Sequence, residues 1–97
     1  MKAHELLTDP KRWTQGAPAR DAAGVEVSEH DKSAVCWCMM GAIIKCYGGS
    51  FAQCNKQFNK VADKLEELYG NPQIHKFNDC IDTTHEQVVS LLKELDV

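Results

Sequence analysis

The sequence predicts a mainly α fold: a single small helical domain over residues 1–97, with about four helices and one long ordered loop. Three observations carry that expectation. Apolar residues return at three- and four-residue intervals in separate segments, the period of a helix with one buried face. Glycine and proline punctuate the chain between those segments. Finally, 97 residues, 43% of them hydrophobic, supply one core and leave no room for a second.

The first helical segment covers about Lys2 to Trp13, with Leu6, Leu7 and Trp13 apolar. Pro10, after Thr8-Asp9, marks either a break or a fresh helix start. Thr14 to His30 lacks a helical period and holds Gly16, Pro18 and Gly24, so it reads as the long loop; a loop of that length inside a small domain is uncommon and often functional. Within it, Val25-Glu26-Val27 can form a short extended piece.

The second helix is expected from Asp31, a good N-cap, to Tyr47 before Gly48-Gly49. Val35, Cys38, Met39, Ala42, Ile43 and Cys46 form its stripe, and Trp37, Met40 and Ile44 widen it, which makes this helix central. Gly41 in its middle costs roughly 1 kcal/mol of helix propensity against alanine. Close approach by a neighbouring group accounts for it.

Ser50 is expected to cap the third helix. Its stripe is Phe51, Cys54, Phe58, Val61, Ala62, Leu65, Leu68 and Tyr69, ended by Gly70-Asn71-Pro72. Lys56, Lys60, Lys64, Glu66 and Glu67 form a solvated outer face. Pro72 to Asp82 reads as a second irregular stretch. The last helix opens on a capping box, Thr83-x-x-Glu86, and buries Val88, Leu91, Leu92 and Leu95.

Eleven basic residues against 14 acidic ones give a net charge of −3. That field is of the wrong sign for a nucleic-acid binder and too thin for an acidic mimic of nucleic acid, so no nucleic-acid partner is expected. No apolar run approaches the ~20 residues of a membrane span, so no membrane partner is expected either. Glu5 stands where a secretory leader would be apolar. The expected setting is cytoplasmic.

The five cysteines, Cys36, Cys38, Cys46, Cys54 and Cys80, are odd in number, and with no leader they read as reduced thiols rather than a disulfide framework. Four histidines accompany them, yet Cys36-x-Cys38 is not the knuckle that brings two thiolates onto one zinc ion. No metal and no cofactor are therefore expected; a structural zinc domain is kept as an alternative. Most of the thiols read as small core hydrophobes.

Charged residues among small or apolar neighbours mark the candidate site. Arg20-Asp21 follows Gly16-Ala17-Pro18-Ala19, and Asn78-Asp79 lies between Phe77 and Cys80. Burying an isolated charge is costly, so such groups pair. Arg20 could meet Asp79 or cap carbonyls at a helix end. These groups then either tie the loop to the helices or line a cleft. Trp13, at the start of the loop, pins it. A sharper alternative is nucleophilic catalysis. Cys36-Trp37-Cys38 in the first turns of a helix would profit from its dipole, with His30, His75 or His85 as base and Asp79 or Asn78 as orienter. The conditional catalytic set is Cys36, Cys38, His85 and Asp79; the binding set is Arg20, Asp21, Asn78, Asp79 and Trp13.

Trp13 with Gly16-Ala17-x-Ala19-Arg20-Asp21 and Gly24, then Ala34-Val35-x-Trp37-Cys38-x-x-Gly41-Ala42-Ile43, Phe77-Asn78-Asp79 and Thr84-His85-x-x-Val88, together resemble an uncharacterised family of small bacterial and phage proteins, a domain of unknown function. The resemblance implies a small, mainly helical domain and brings no activity with it. It makes Cys38 the thiol nearest the family pattern and Cys36 an extra one. It also puts Arg20, Asp21, Asn78 and Asp79 first as the polar group of interest. Phage occurrence implies, by analogy, a modulator or inhibitor of a host or defence protein. Small size without a complete catalytic constellation leaves a non-enzymatic module with a protein partner as the expected function, with no expectation for oligomeric state. A cysteine hydrolase and a zinc domain are the alternatives.

Overall fold

A computed structural model describes residues 1–48, 50 and 52–97. The chain opens with a short helix, α1 (Ala3–Leu6), and then a 3₁₀ turn at Pro10–Arg12. Asp9 accepts the Lys11 N–H at 2.9 Å and Pro10 takes the first position, so the restart at Thr8-Asp9 is a cap followed by a proline.

The long loop is folded as a small sheet of three strands, β1 (Ala19–Arg20), β2 (Glu26–Val27) and β3 (Cys36–Trp37). β1 is central and antiparallel to both neighbours. Ala19 faces Val27 and Trp37, and Arg20 faces Glu26 and Cys36. The extended piece expected at residues 25–27 is β2. The Asp21 carboxylate accepts the N–H groups of Ala23 and Val25, both at 2.9 Å, and Gly24 supplies the φ of +83° that closes the turn.

β3 corrects the second helix. It does not begin at Asp31, which instead caps an isolated turn through the Ser33 N–H and hydroxyl. The helix is α2 (Met39–Tyr47), with Cys38 as its N-cap. Cys36-Trp37 pairs with Ala19-Arg20 across the loop, a non-local preference that a local helical period does not contain. Met39, Ala42 and Ile43 are fully buried, so the stripe itself is correct from Met39 on. Gly41 has the reason anticipated for it: a Cβ there would collide with the Pro18 carbonyl oxygen, because the loop backbone lies directly on α2.

A second 3₁₀ turn (Ala52–Cys54) leads into α3 (Asn55–Tyr69), so Cys54 rather than Ser50 stands at the N-cap; Phe51 lies outside the described residues. Phe58, Val61 and Leu65 are buried as the stripe requires, but Leu68 and Tyr69 are 50% and 58% exposed. Tyr69 stacks on Phe77 instead of entering the core. Gly70, at φ +70°, ends the helix.

The stretch read as irregular contains α4 (Ile74–Asp79), which buries Ile74 and Asn78, one turn apart. Six residues are too few to display a period and hold their shape only by packing. The last helix, α5 (His85–Glu94), is capped one position later than expected, by Thr84 with Gln87 returning the bond, and buries Val88, Leu91 and Leu92. The fold is thus mixed. Among the described residues five helices surround a core drawn mainly from α1, α2, α3 and α5, to which α4 adds Ile74 and the small sheet adds Ala19 and Trp37.

Candidate functional site

The polar residues singled out in the two loops form a latch between the long loop and α4. At its centre is Asn78, only 1% exposed. Its Oδ1 accepts the Trp13 indole N–H at 2.7 Å and the Met39 N–H at 3.0 Å. Its Nδ2 donates to the Thr14 carbonyl at 3.1 Å and to Oδ1 of Asp79 at 2.9 Å. An amide has two donor hydrogens and two acceptor lone pairs, and all four are used here. That is what permits its burial.

Around this amide the loop is tied twice more. Gln15 donates through Nε2 to the carbonyls of Asn78 (2.8 Å) and Cys80 (3.0 Å), and the Gly16 N–H donates to Oδ1 of Asp79 at 2.9 Å. Arg20 does not meet Asp79. Its guanidinium donates to Thr14 Oγ1 (3.1 Å), the Gln15 carbonyl (3.0 Å) and the Gly24 carbonyl (3.2 Å), so it serves the loop's own acceptors. Of the binding set, Trp13, Asn78 and Asp79 are in direct contact. Arg20 is linked to them through Thr14 and Gln15, and Asp21 is apart, in the β1–β2 turn. Thr14 and Gln15 are the participants that sequence reasoning missed, since neither belongs to a period, a charge pair or a motif.

Next to the latch opens a groove of about 280 Å³. Pro18, Met40 and Ile44 form apolar walls, and Cys38, His75 and Asp79 line it as polar groups. Of the conditional catalytic set only Cys38 and Asp79 reach it. Cys36 is on β3 with its thiol toward the Arg20 carbonyl at 3.8 Å. His85 begins α5, its Nε2 against the Leu7 carbonyl and its ring centroid 6.2 Å from that of Trp13. The histidine of the groove is His75, one turn before Asp79 on α4.

The Cys38 thiol is held above its ordinary value, chiefly by burial; the Gly41 N–H, 3.2 Å from its sulfur, offsets this only in part. Its thiol is therefore protonated at neutral pH, the opposite of an activated nucleophile. Among the described residues no three of the His, Cys, Asp and Glu side chains converge as a metal would need.

A second feature lies on the other side of α4. The Tyr69 and Phe77 rings stack with centroids 5.5 Å apart and planes at 27°. They floor a groove of about 310 Å³ whose rim carries Gln73, Lys76, Thr83 and Gln87. Leu68 and Tyr69 are half exposed, and Ile81 is 93% exposed.

These features define a small helical domain with a minor sheet and an internally satisfied polar latch. The model of a family of unknown function (DUF6197) matches residues 1–95, and the chain belongs to that family. It is the kind of family that the sequence resemblance indicated. No curated protein and no solved structure matches the chain.

Proposed function

We propose that this protein is a non-enzymatic binding module that presents the face formed by the end of α3 and by α4 to a partner protein. The observation that supports this is the half-exposed pair Leu68 and Tyr69 at the Tyr69–Phe77 groove, with exposed Ile81 between two residues of its lining, Cys80 and Asp82. Contiguous apolar surface with a polar rim favours an interface, and an aromatic anchor in such a patch carries much of the binding energy. Helical periodicity assigns Leu68 and Tyr69 to the core, so their exposure leaves hydrophobic area for something else to cover. A segment with apolar side chains for the groove and a polar backbone for its rim fits best.

A cysteine hydrolase is the weaker reading, because burial holds the Cys38 thiol protonated and His85 stands away from it. A cytoplasmic modulator of a host or defence protein accords with the phage analogy. The test is affinity capture followed by calorimetric titration of the purified partner. Leu68→Glu with Tyr69→Ser is expected to weaken binding by about 30-fold, the loss of roughly 2 kcal/mol that an aromatic anchor carries, with the helical content kept and the melting temperature lowered only by the loss of the Tyr69–Phe77 stack. Undiminished affinity, or a pure protein that self-associates through this face, sinks the reading.

A further inference from the structure

We infer that the groove beside the latch is a second binding site, which takes the basic side chain of a partner polypeptide with its charged end on Asp79. The Asp79 carboxylate is not free to swing. Its Oδ1 is held by the Gly16 N–H and by Nδ2 of Asn78, both at 2.9 Å, and Asn78 is itself fixed by Trp13 and Met39. Oδ2 accepts no hydrogen bond from any described residue. No cation among the described residues pairs with Asp79 either. Among the described residues the ion pairs are Lys2 with Asp96, and Lys64 with Glu67 and Glu94. Arg20, the nearest candidate by sequence, is committed to Thr14, Gln15 and Gly24.

A positioned carboxylate without a counter-charge, at the side of an apolar trough, complements a group that is charged at its tip and apolar along its stem. Lysine and arginine have that form. Pro18, Met40 and Ile44 offer the walls for the methylene stem, and the net charge of −3 favours the approach of a basic segment. The trough also continues. Met40 and His75 line an adjoining recess of about 260 Å³ that includes Phe58 and Ala62. An apolar neighbour of the basic residue can sit there, which points to a polypeptide rather than a free amine. The polypeptide source rests on the protein-binding reading above, whereas the cation site does not.

Amide correlation spectra of the full chain test this during titration with three probes: acetyl-Leu-Arg-amide, its neutral citrulline counterpart and agmatine. The arginine peptide is expected to shift the Gly16, Gly41 and Asp79 amides saturably, with the citrulline peptide about fivefold weaker, the upper end for a charge pair on the exposed Asp79. Agmatine is expected to bind more weakly than the arginine peptide. Asp79→Asn keeps an acceptor for the latch and removes the charge, and should show the same loss. Because that variant touches the latch, His75→Lys is the second: its ammonium, one turn before Asp79 on α4, occupies the carboxylate and should weaken the arginine peptide too. Equal binding of the two peptides, or undiminished binding to either folded variant, overturns the site. Agmatine binding as tightly as the arginine peptide overturns the polypeptide source. The Leu68→Glu, Tyr69→Ser variant should bind the arginine peptide as the unaltered chain does, so failure of the apolar face and failure of the groove read out separately.

Discussion

At Asn78 one side-chain amide joins Trp13, Thr14, Met39 and Asp79, and thereby the long loop, α2 and α4. Removing it strands the buried Met39 N–H as well as the indole N–H and the Thr14 carbonyl. The cost is the desolvation of groups left without partners, not the loss of one average hydrogen bond. Asn78→Ala should lower the unfolding free energy by about 3 kcal/mol in urea titration; a loss below about 1 kcal/mol would show that water substitutes for the amide. Gly41 makes a similar point about backbone. Gly41→Ala gains about 1 kcal/mol of helix propensity, yet its Cβ meets the Pro18 carbonyl oxygen. Displacing packed backbone costs more than that gain, so a net loss of about 1–2 kcal/mol is expected in the same measurement. The sequence marked both residues as odd for their surroundings; at Asn78 the reason is a full set of hydrogen bonds, and at Gly41 it is close backbone packing.

Helix ends are where local reading and structure part most clearly. The sequence predicts the capping box Thr83-x-x-Glu86, and the fold uses Thr84 with Gln87, one position on. Moving the cap by one changes only where the helix starts and leaves Val88, Leu91 and Leu92 on the same face; Thr84 takes the cap because its backbone is extended, at φ −100° and ψ 158°, with its side chain accepting the Gln87 N–H. Thr84→Ala is therefore expected to cost about 1 kcal/mol in thermal unfolding, while Thr83→Ala is expected to be near neutral; the reverse order would place the cap where the sequence alone put it. The same holds for β3. Trp37 fits the helical stripe, but Cys36-Trp37 pairs antiparallel with Ala19-Arg20, and Cys38 is left to cap α2.

For the molecule as a whole, buried thiols set the alkaline limit. Burial pushes Cys38, Cys46 and Cys54 above the ordinary thiol value of 9.0 and raises Tyr47 as well. A group raised in the folded state holds its proton longer there than in the unfolded chain. Its contribution is complete below 9.0 and is lost as pH rises through the folded value. Stability measured by urea under reducing conditions should therefore be flat near neutrality and fall above about pH 9; a curve still flat at pH 10 would contradict the burial of these thiols. Alkylation at neutral pH should follow the same geometry, with exposed Cys80 first and fully buried Cys54 only on unfolding. At the acid end, Lys2 lowers Asp96 and Asp96 raises Lys2, but both are exposed and water screens the pair, so little stability rides on it.

The sequence by itself determined the helical character, the central stripe of Met39, Ala42 and Ile43, a helix boundary at Pro10, the extended piece within residues 25–27 and the family. All of these are written in local period, composition or motif. Only the tertiary structure decided that Arg20 serves loop carbonyls rather than Asp79, that Thr14 and Gln15 complete the latch, that α4 exists, and that His75 rather than His85 joins Cys38 and Asp79 in the groove. Hydrogen bonds between segments distant in the chain depend on where packing brings those segments. No local pattern of residues encodes that position.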